Sequence, residues 1–149
     1  MTPKRKQYGF NLVEVLIALI IMSIGMLGIA GLYVNSLQAG RTSMFRQQAI
    51  TLAGDVADRI RANPTAGTAY TEAGGDKSCV SATADCSAED MAANDIFLWS
   101  QQAAESLPGG TVGITRNTTP FPVEYTITIT WNEPGSTENY AVTIPVAGS

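Results

Sequence analysis

The stretch KRKQYGFNLVEVLIALII, Lys4 to Ile21, sets three basic residues, a glycine and a carboxylate against the start of a long apolar run. From Val15 to Gly40 no residue is charged, and the segment Val15 to Val34 is long enough to cross a bilayer core as a helix. A helix of a water-soluble core seldom runs apolar on every face for so long. Lys4, Arg5 and Lys6 place the N-terminus on the cytoplasmic side, so the rest of the chain lies outside. Glu14 is then the anomaly, because a carboxylate in such a segment is costly, though less so near its edge.

Three readings of the segment compete. A secretory signal peptide needs a small-residue cleavage site after the apolar run, and GIAG is a poor one. A plain single-span anchor explains the length but gives Glu14 no purpose. The third is a leader cut before the apolar run, after Gly9. There the sequence resembles the class III signal of type IV pilins and pseudopilins: a short basic leader, Gly9, Phe10, an apolar run, and Glu14 four residues after the phenylalanine. Asn11 stands where that pattern usually has threonine. The resemblance implies cleavage after Gly9 by an inner-membrane prepilin peptidase, which also methylates the new Phe10 amine. It also implies that Glu14 pairs with that amine on a neighbouring subunit. The physics is consistent with this. An α-amine with a reference pKa near ~8 is largely cationic at neutral pH, and at ~4 Å and an effective dielectric of ~20 the pair attracts by about 4 kcal/mol before desolvation. The plainer role for Glu14 is at its own helix start, where the macrodipole favours a carboxylate.

Gly25, Gly28 and Gly31 recur at three-residue spacing within the apolar run. They allow helices to approach closely in a membrane, and each weakens the helix by about 1 kcal/mol. Many major pilins have a proline in this region and unwind there in the fibre; this chain has none, and the glycines alone support such unwinding. Beyond Val34 the chain turns polar with helical periodicity, and Ala49, Leu52, Ala53, Val56 and Ile60 form one apolar stripe. Asn63-Pro64 ends it. Phe10 to Ala62 thus spans a helix about 80 Å long. Arg41, Arg46, Arg59 and Arg61 read as a solvated helix face.

The remainder divides into a small polar loop from Thr65 to Cys86, a helix over 88–107 and a β-meander over 111–147. Ser87 is the expected N-cap, with Asp90 completing a loose capping box. Ile96, Trp99, Ala103 and Leu107 share a face, and Pro108-Gly109-Gly110 end the helix. Val123, Tyr125, Ile127, Ile129 and Trp131 alternate with Glu124 and threonines, and Tyr140, Val142, Ile144 and Val146 repeat the pattern after a turn at NEPGST. Pro145 marks an edge or strand end. The fold class is α+β, a long N-terminal helix packed on a small antiparallel sheet. The expected organisation is a leader over 1–9, a membrane and assembly half of the helix over 10–36, an amphipathic half over 37–63, and a globular head over 64–149. Cys79 and Cys86 close a short loop in an oxidising compartment, or remain two thiols in a reducing one.

With no histidine and two cysteines among 149 residues, His-dependent triads and mixed Cys/His metal sites are excluded. The formal charge is −4, and it is more acidic once the leader is set aside, which argues against nucleic acid as a partner. No phosphate-binding glycine loop or EF-hand occurs. The Asn117-Thr118-Thr119 sequon carries little weight in a bacterial protein. The chain reads as a non-enzyme without a cofactor. DVADRIRANP, LPGGTVGIT and YTITITWNE further resemble the PilV-type minor pilins. That resemblance implies a minor pilin of the inner membrane and then the pilus, acting in the tip or initiating complex. Its implied partners are other minor pilins, the major pilin, the prepilin peptidase and a tip adhesin, and it implies a role in twitching motility. Two alternatives share the signal: a type II secretion pseudopilin, and an adhesin-like or DNA-uptake surface-binding pilin whose Thr-rich face or loop recognises a ligand.

Overall fold

The structure is a computed structural model that describes residues 9, 11–80, 85–119 and 121–147. Helix α1 runs from Leu12 to Ala62, α2 from Ala88 to Ser106, and three strands follow: β1 (Thr111–Asn117), β2 (Val123–Glu133) and β3 (Ser136–Val146). The chain divides into two compact units at Arg41/Thr42. The first unit contains the apolar part of α1, whose residues are exposed throughout. α1 stays helical across Gly25, Gly28 and Gly31.

The second unit has one core. The stripe Ala49, Leu52, Ala53, Val56 and Ile60 is buried as its spacing predicts, and Ala57 joins it. Arg59 and Arg61 occupy the last turn of α1, where cations favour the helix dipole. Pro64 then prevents continuation, but the segment after it is not simply loop. Residues Pro64–Thr71 form a short 3-10 helix, with Pro64 at its start. Proline lacks the N–H that a first turn would leave unpaired, so the residue that ends one helix can begin another. Gly67, at φ +54°, kinks this element. The kink presents the Gly67 carbonyl to the Tyr125 hydroxyl, which donates to it at 2.8 Å. Tyr70 is buried and stacks on Trp99, with ring centroids 6.0 Å apart.

α2 starts as expected. Ser87 Oγ accepts the Asp90 N–H at 3.1 Å and meets the Asp90 carboxylate at 3.2 Å. Ala92, Trp99 and Ala103 bury one face, and Leu107 follows it into the core. The turn after α2 depends on Gly110, because a Cβ there would collide with the Ala103 carbonyl and lie 2.8 Å from Leu107 Cβ. Gly110→Ala is expected to cost about 2 kcal/mol of stability, the usual scale for forcing a methyl into a filled site. A lower urea midpoint at unchanged slope would show it; an unchanged midpoint would mean that the turn shifts freely.

The sheet is an antiparallel meander in the order β1-β2-β3. Val123, Tyr125, Ile127, Ile129 and Trp131 face the core, so the period-2 reading of β2 holds at every position. The β2–β3 turn is tighter than NEPGST: Glu133 pairs with Ser136, which leaves only Pro134 and Gly135 outside the ladder. Gly135 has φ +93°, as the third residue of a proline-initiated type II turn requires. Pro145 lies on β3, an edge strand, where a missing donor does least harm.

Candidate processing and assembly segment

Gly9 and Asn11, on either side of the expected cleavage point, are exposed and non-helical. Asn11 starts α1. Its carbonyl accepts the Glu14 N–H at 3.0 Å and the Val15 N–H at 3.3 Å, and its side chain accepts from Val13 N–H at 3.4 Å. Asparagine is among the best residues for satisfying the free donors of a helix start. The departure from threonine at this position is therefore chemically conservative. Lys4, Arg5, Lys6 and Phe10 lie outside the described residues.

Glu14 sits in the first turn of α1, exposed, with a favourable dipole beneath it. No described residue forms an ion pair with it. Around and beyond it the side chains of α1 present apolar surface in every direction, from Leu12 to Leu37. Gly25, Gly28 and Gly31 have open space where a Cβ would stand. Within the run Ser23 Oγ donates locally to the Leu19 carbonyl at 2.7 Å, so the hydroxyl is satisfied without water. By length and composition α1 is able to cross a membrane.

The prokaryotic N-terminal methylation motif matches residues 4–30. The family model described as type IV pilin Tt1218 matches residues 31–97, directly after it. None of the curated proteins and none of the solved structures matches the chain. Together the two matches, over residues 4–97, support a type IV pilin. A type IV pilin is a structural subunit rather than an enzyme, and the α+β arrangement of a long N-terminal helix with a small antiparallel sheet is the pilin fold.

The head holds two polar clusters that are not evident from the sequence. In the first, Asp95 projects from the buried face of α2 and Arg59 reaches it from α1, Nη1 to Oδ1 at 2.7 Å. Asp55 stands 3.7 Å from Arg59 Nε and also accepts the Trp99 indole N–H at 2.9 Å. Trp99 is thus a core residue with its one polar atom satisfied. Tyr70 hydroxyl lies 3.5 Å from Asp95 Oδ2, and Asn63 donates to the Ala88 carbonyl at 2.8 Å. Burial raises the Asp95 carboxyl above its ordinary value, and Arg59 opposes that without cancelling it. Burial likewise raises the Tyr70 phenol. Arg59 is accordingly not part of a solvated face: it ties α1 to α2. The available signal was that Asp95 falls in register with Ala92, Trp99 and Ala103, where a charge demands a partner.

The second cluster holds the hairpin to α1. Glu133 accepts the Thr42 hydroxyl at 2.6 Å on one oxygen and the Trp131 indole N–H at 3.0 Å on the other. These two bonds, Thr42 first, hold the Glu133 carboxyl below its usual range. Cys79 and Cys86 are joined as a disulfide. Beside it Lys77 pairs with Asp90 at 3.3 Å, and Lys77 N–H donates to the buried Asn94 at 3.1 Å. These bonds fasten the segment after the 3-10 helix to α2. Among the described residues no group of His, Cys, Asp and Glu is arranged to hold a metal ion.

Proposed function

We propose that this pilin is a minor pilin of a type IV pilus, of the PilV type. It is inserted in the bacterial inner membrane with its N-terminus cytoplasmic and its head periplasmic. The prepilin peptidase cuts after Gly9 and methylates the Phe10 amine. Glu14 then meets the Phe10 amine of an adjacent subunit, and the chain joins other minor pilins at the pilus tip to start polymerisation of the major pilin. It supports twitching motility and carries a tip adhesin in the same complex.

One observation supports this reading most directly. Glu14 lies at the apolar end of α1 with no described partner, in a match to the N-terminal methylation motif. A charge leaving water for a bundle of apolar helices needs an opposite charge to meet it. A cationic α-amine four residues away in sequence, on a neighbouring chain, supplies one without adding a second costly side chain. The PilV-like stretches quoted from the head support the minor role.

Mass spectrometry of the mature protein tests the processing step, with an N-terminus at methylated Phe10 expected. A Met1 terminus in cells with active peptidase rejects it. Deleting the gene tests the minor role. Loss of pili or of twitching is expected, whereas intact pili with lost protein secretion would transfer the chain to a secretion pseudopilus.

A further inference from the structure

Arg41 is the first charged residue after the uncharged stretch Val15 to Gly40, and it is exposed on α1. No described carboxylate forms an ion pair with it. Its own helix offers none. No acidic residue stands between Glu14 and Asp55, and the neighbours three and four residues away, Leu37, Gln38, Met44 and Phe45, are uncharged. The depth of Arg41 follows from the rise of α1. At ~1.5 Å per residue, Val15 to Val34 covers about 30 Å, the thickness of a hydrocarbon core. Both ends of that span are marked. Glu14 precedes it, and Tyr33, 67% exposed, stands at its far end, where aromatic rings with a polar tip favour the interface. Asn35 and Ser36 follow. The backbone of Arg41 is then about 10 Å beyond the core, whereas the headgroup layer on each face is about 5–7 Å deep. Side chains of a helix lean toward its N-terminus. For Arg41 that direction leads back over Leu37, which is exposed one turn nearer the core. A long stem lying on apolar surface carries the guanidinium into the headgroup layer.

We propose that Arg41 binds the phosphate of an anionic phospholipid headgroup at the face where α1 leaves the bilayer, and so fixes the depth of the helix. This rests on α1 crossing a membrane, as its length and composition allow. Three arguments select lipid as the occupant. Headgroup phosphate surrounds a membrane-spanning helix on every side at this depth, so the partner is present before any other protein arrives. The planar guanidinium fork fits two phosphate oxygens at once. A glycerol headgroup leaves the phosphate charge unbalanced, whereas choline carries its own cation, so Arg41 prefers the anionic lipid. Arg46 lies more than a turn further along α1, too far to reach the same layer. Depth, rather than basic charge as such, is therefore what distinguishes the two arginines.

The test uses the full chain carrying Lys4→Gln, Arg5→Gln and Lys6→Gln, so that the basic residues before the span do not bind lipid themselves. Native mass spectrometry of this chain, released from bilayer discs of equal parts phosphatidylglycerol and phosphatidylcholine, counts the lipids it retains. Phosphatidylglycerol is expected in about fivefold excess over phosphatidylcholine, the scale for one basic residue at an anionic surface. Adding Arg41→Gln should abolish the excess, and adding Arg46→Gln should leave it unchanged. Equal retention of the two lipids by the starting chain overturns the proposal. So does an excess that survives Arg41→Gln, or one that Arg46→Gln abolishes as fully. Displacement of the lipid by inorganic phosphate, with ionic strength held constant by chloride, also overturns it, because the site would then take any phosphate. Extraction of the chain from vesicles with alkaline carbonate is run alongside. A chain that washes off rejects the membrane span itself, whereas a chain that stays without lipid preference rejects the Arg41 contact alone.

Discussion

Glu14→Ala is expected to insert, to be cut after Gly9 and to be methylated like the parent, yet to enter pili about tenfold less often or worse. The two halves of this expectation have different physical sources. The expected cleavage lies at an exposed, non-helical Gly9, and Asn11 starts α1 with its own carbonyl and side chain. Neither needs the carboxylate. Removing Glu14 even makes the apolar run more apolar, so insertion does not suffer. Assembly is different. The methylated amine of a neighbour keeps its charge, and without Glu14 that charge would enter an apolar bundle unpaired. Leaving one member of a buried pair alone costs about 3–5 kcal/mol, more than enough for a tenfold loss. Counting the variant against parent protein in sheared pili, with membrane levels and N-terminal mass as controls, makes the comparison. Incorporation equal to the parent would confine Glu14 to the helix start, and impaired cleavage would place it in the processing step instead.

Arg59→Ala is expected to destabilise the head by about 2–3 kcal/mol at neutral pH. This is less than for a fully buried pair, because the Arg59 side chain is 52% exposed while that of Asp95 is 8% exposed. The penalty should depend on pH in a defined direction. Burial raises the Asp95 carboxyl above 3.8 in the folded head, and Arg59 is the main influence lowering it. A group whose pKa is raised on folding contributes stability that is present below its unfolded pKa and lost as pH rises through its folded one. Without Arg59 the folded value climbs further, so the variant loses stability over a wider range above 3.8. The penalty relative to the parent is therefore smallest near pH 4 and grows to a plateau towards neutrality. Urea unfolding of the full chain in detergent, followed by Trp99 and Trp131 fluorescence, reads it directly, since both tryptophans lie in the head. Asp95→Asn in the same background should remove the pH dependence. A penalty identical at pH 4 and pH 7 would show that Arg59 acts through packing rather than charge. Glu133 has the opposite sign, because its carboxyl is held low and its contribution is lost as pH falls below about 4.5, but it is common to both chains and cancels.

Much of the fold was legible because its determinants are local. The alternation of β2, the end of α1 before Pro64 and the Ser87 cap each follow from side chains within a few residues of one another. The segment after Pro64 reads as a loop in the sequence because its glycine and threonines have weak helical preference, whereas its 3-10 form is held by contacts far away in sequence. Tyr70 is stacked on Trp99, and the Gly67 carbonyl is engaged by Tyr125. Arg59 looked like one more charge on a wet helix face because its partner lies 36 residues away on another helix.

By itself the sequence determined that Lys4 to Ile21 sets three basic residues and a glycine before an apolar run with one carboxylate, because charge and hydropathy are read along the chain. It also determined which faces of α1, α2 and the strands turn inward, because periodicity is a property of each element alone. Only the tertiary structure decided that Asp55, Arg59, Asp95 and Trp99 form one cluster, that Gly110 admits no side chain, and that β1 and β3 are the edges of the sheet. Each of these depends on how elements distant in sequence pack against one another, and no local pattern encodes a distance between two helices or the neighbour that a strand lacks.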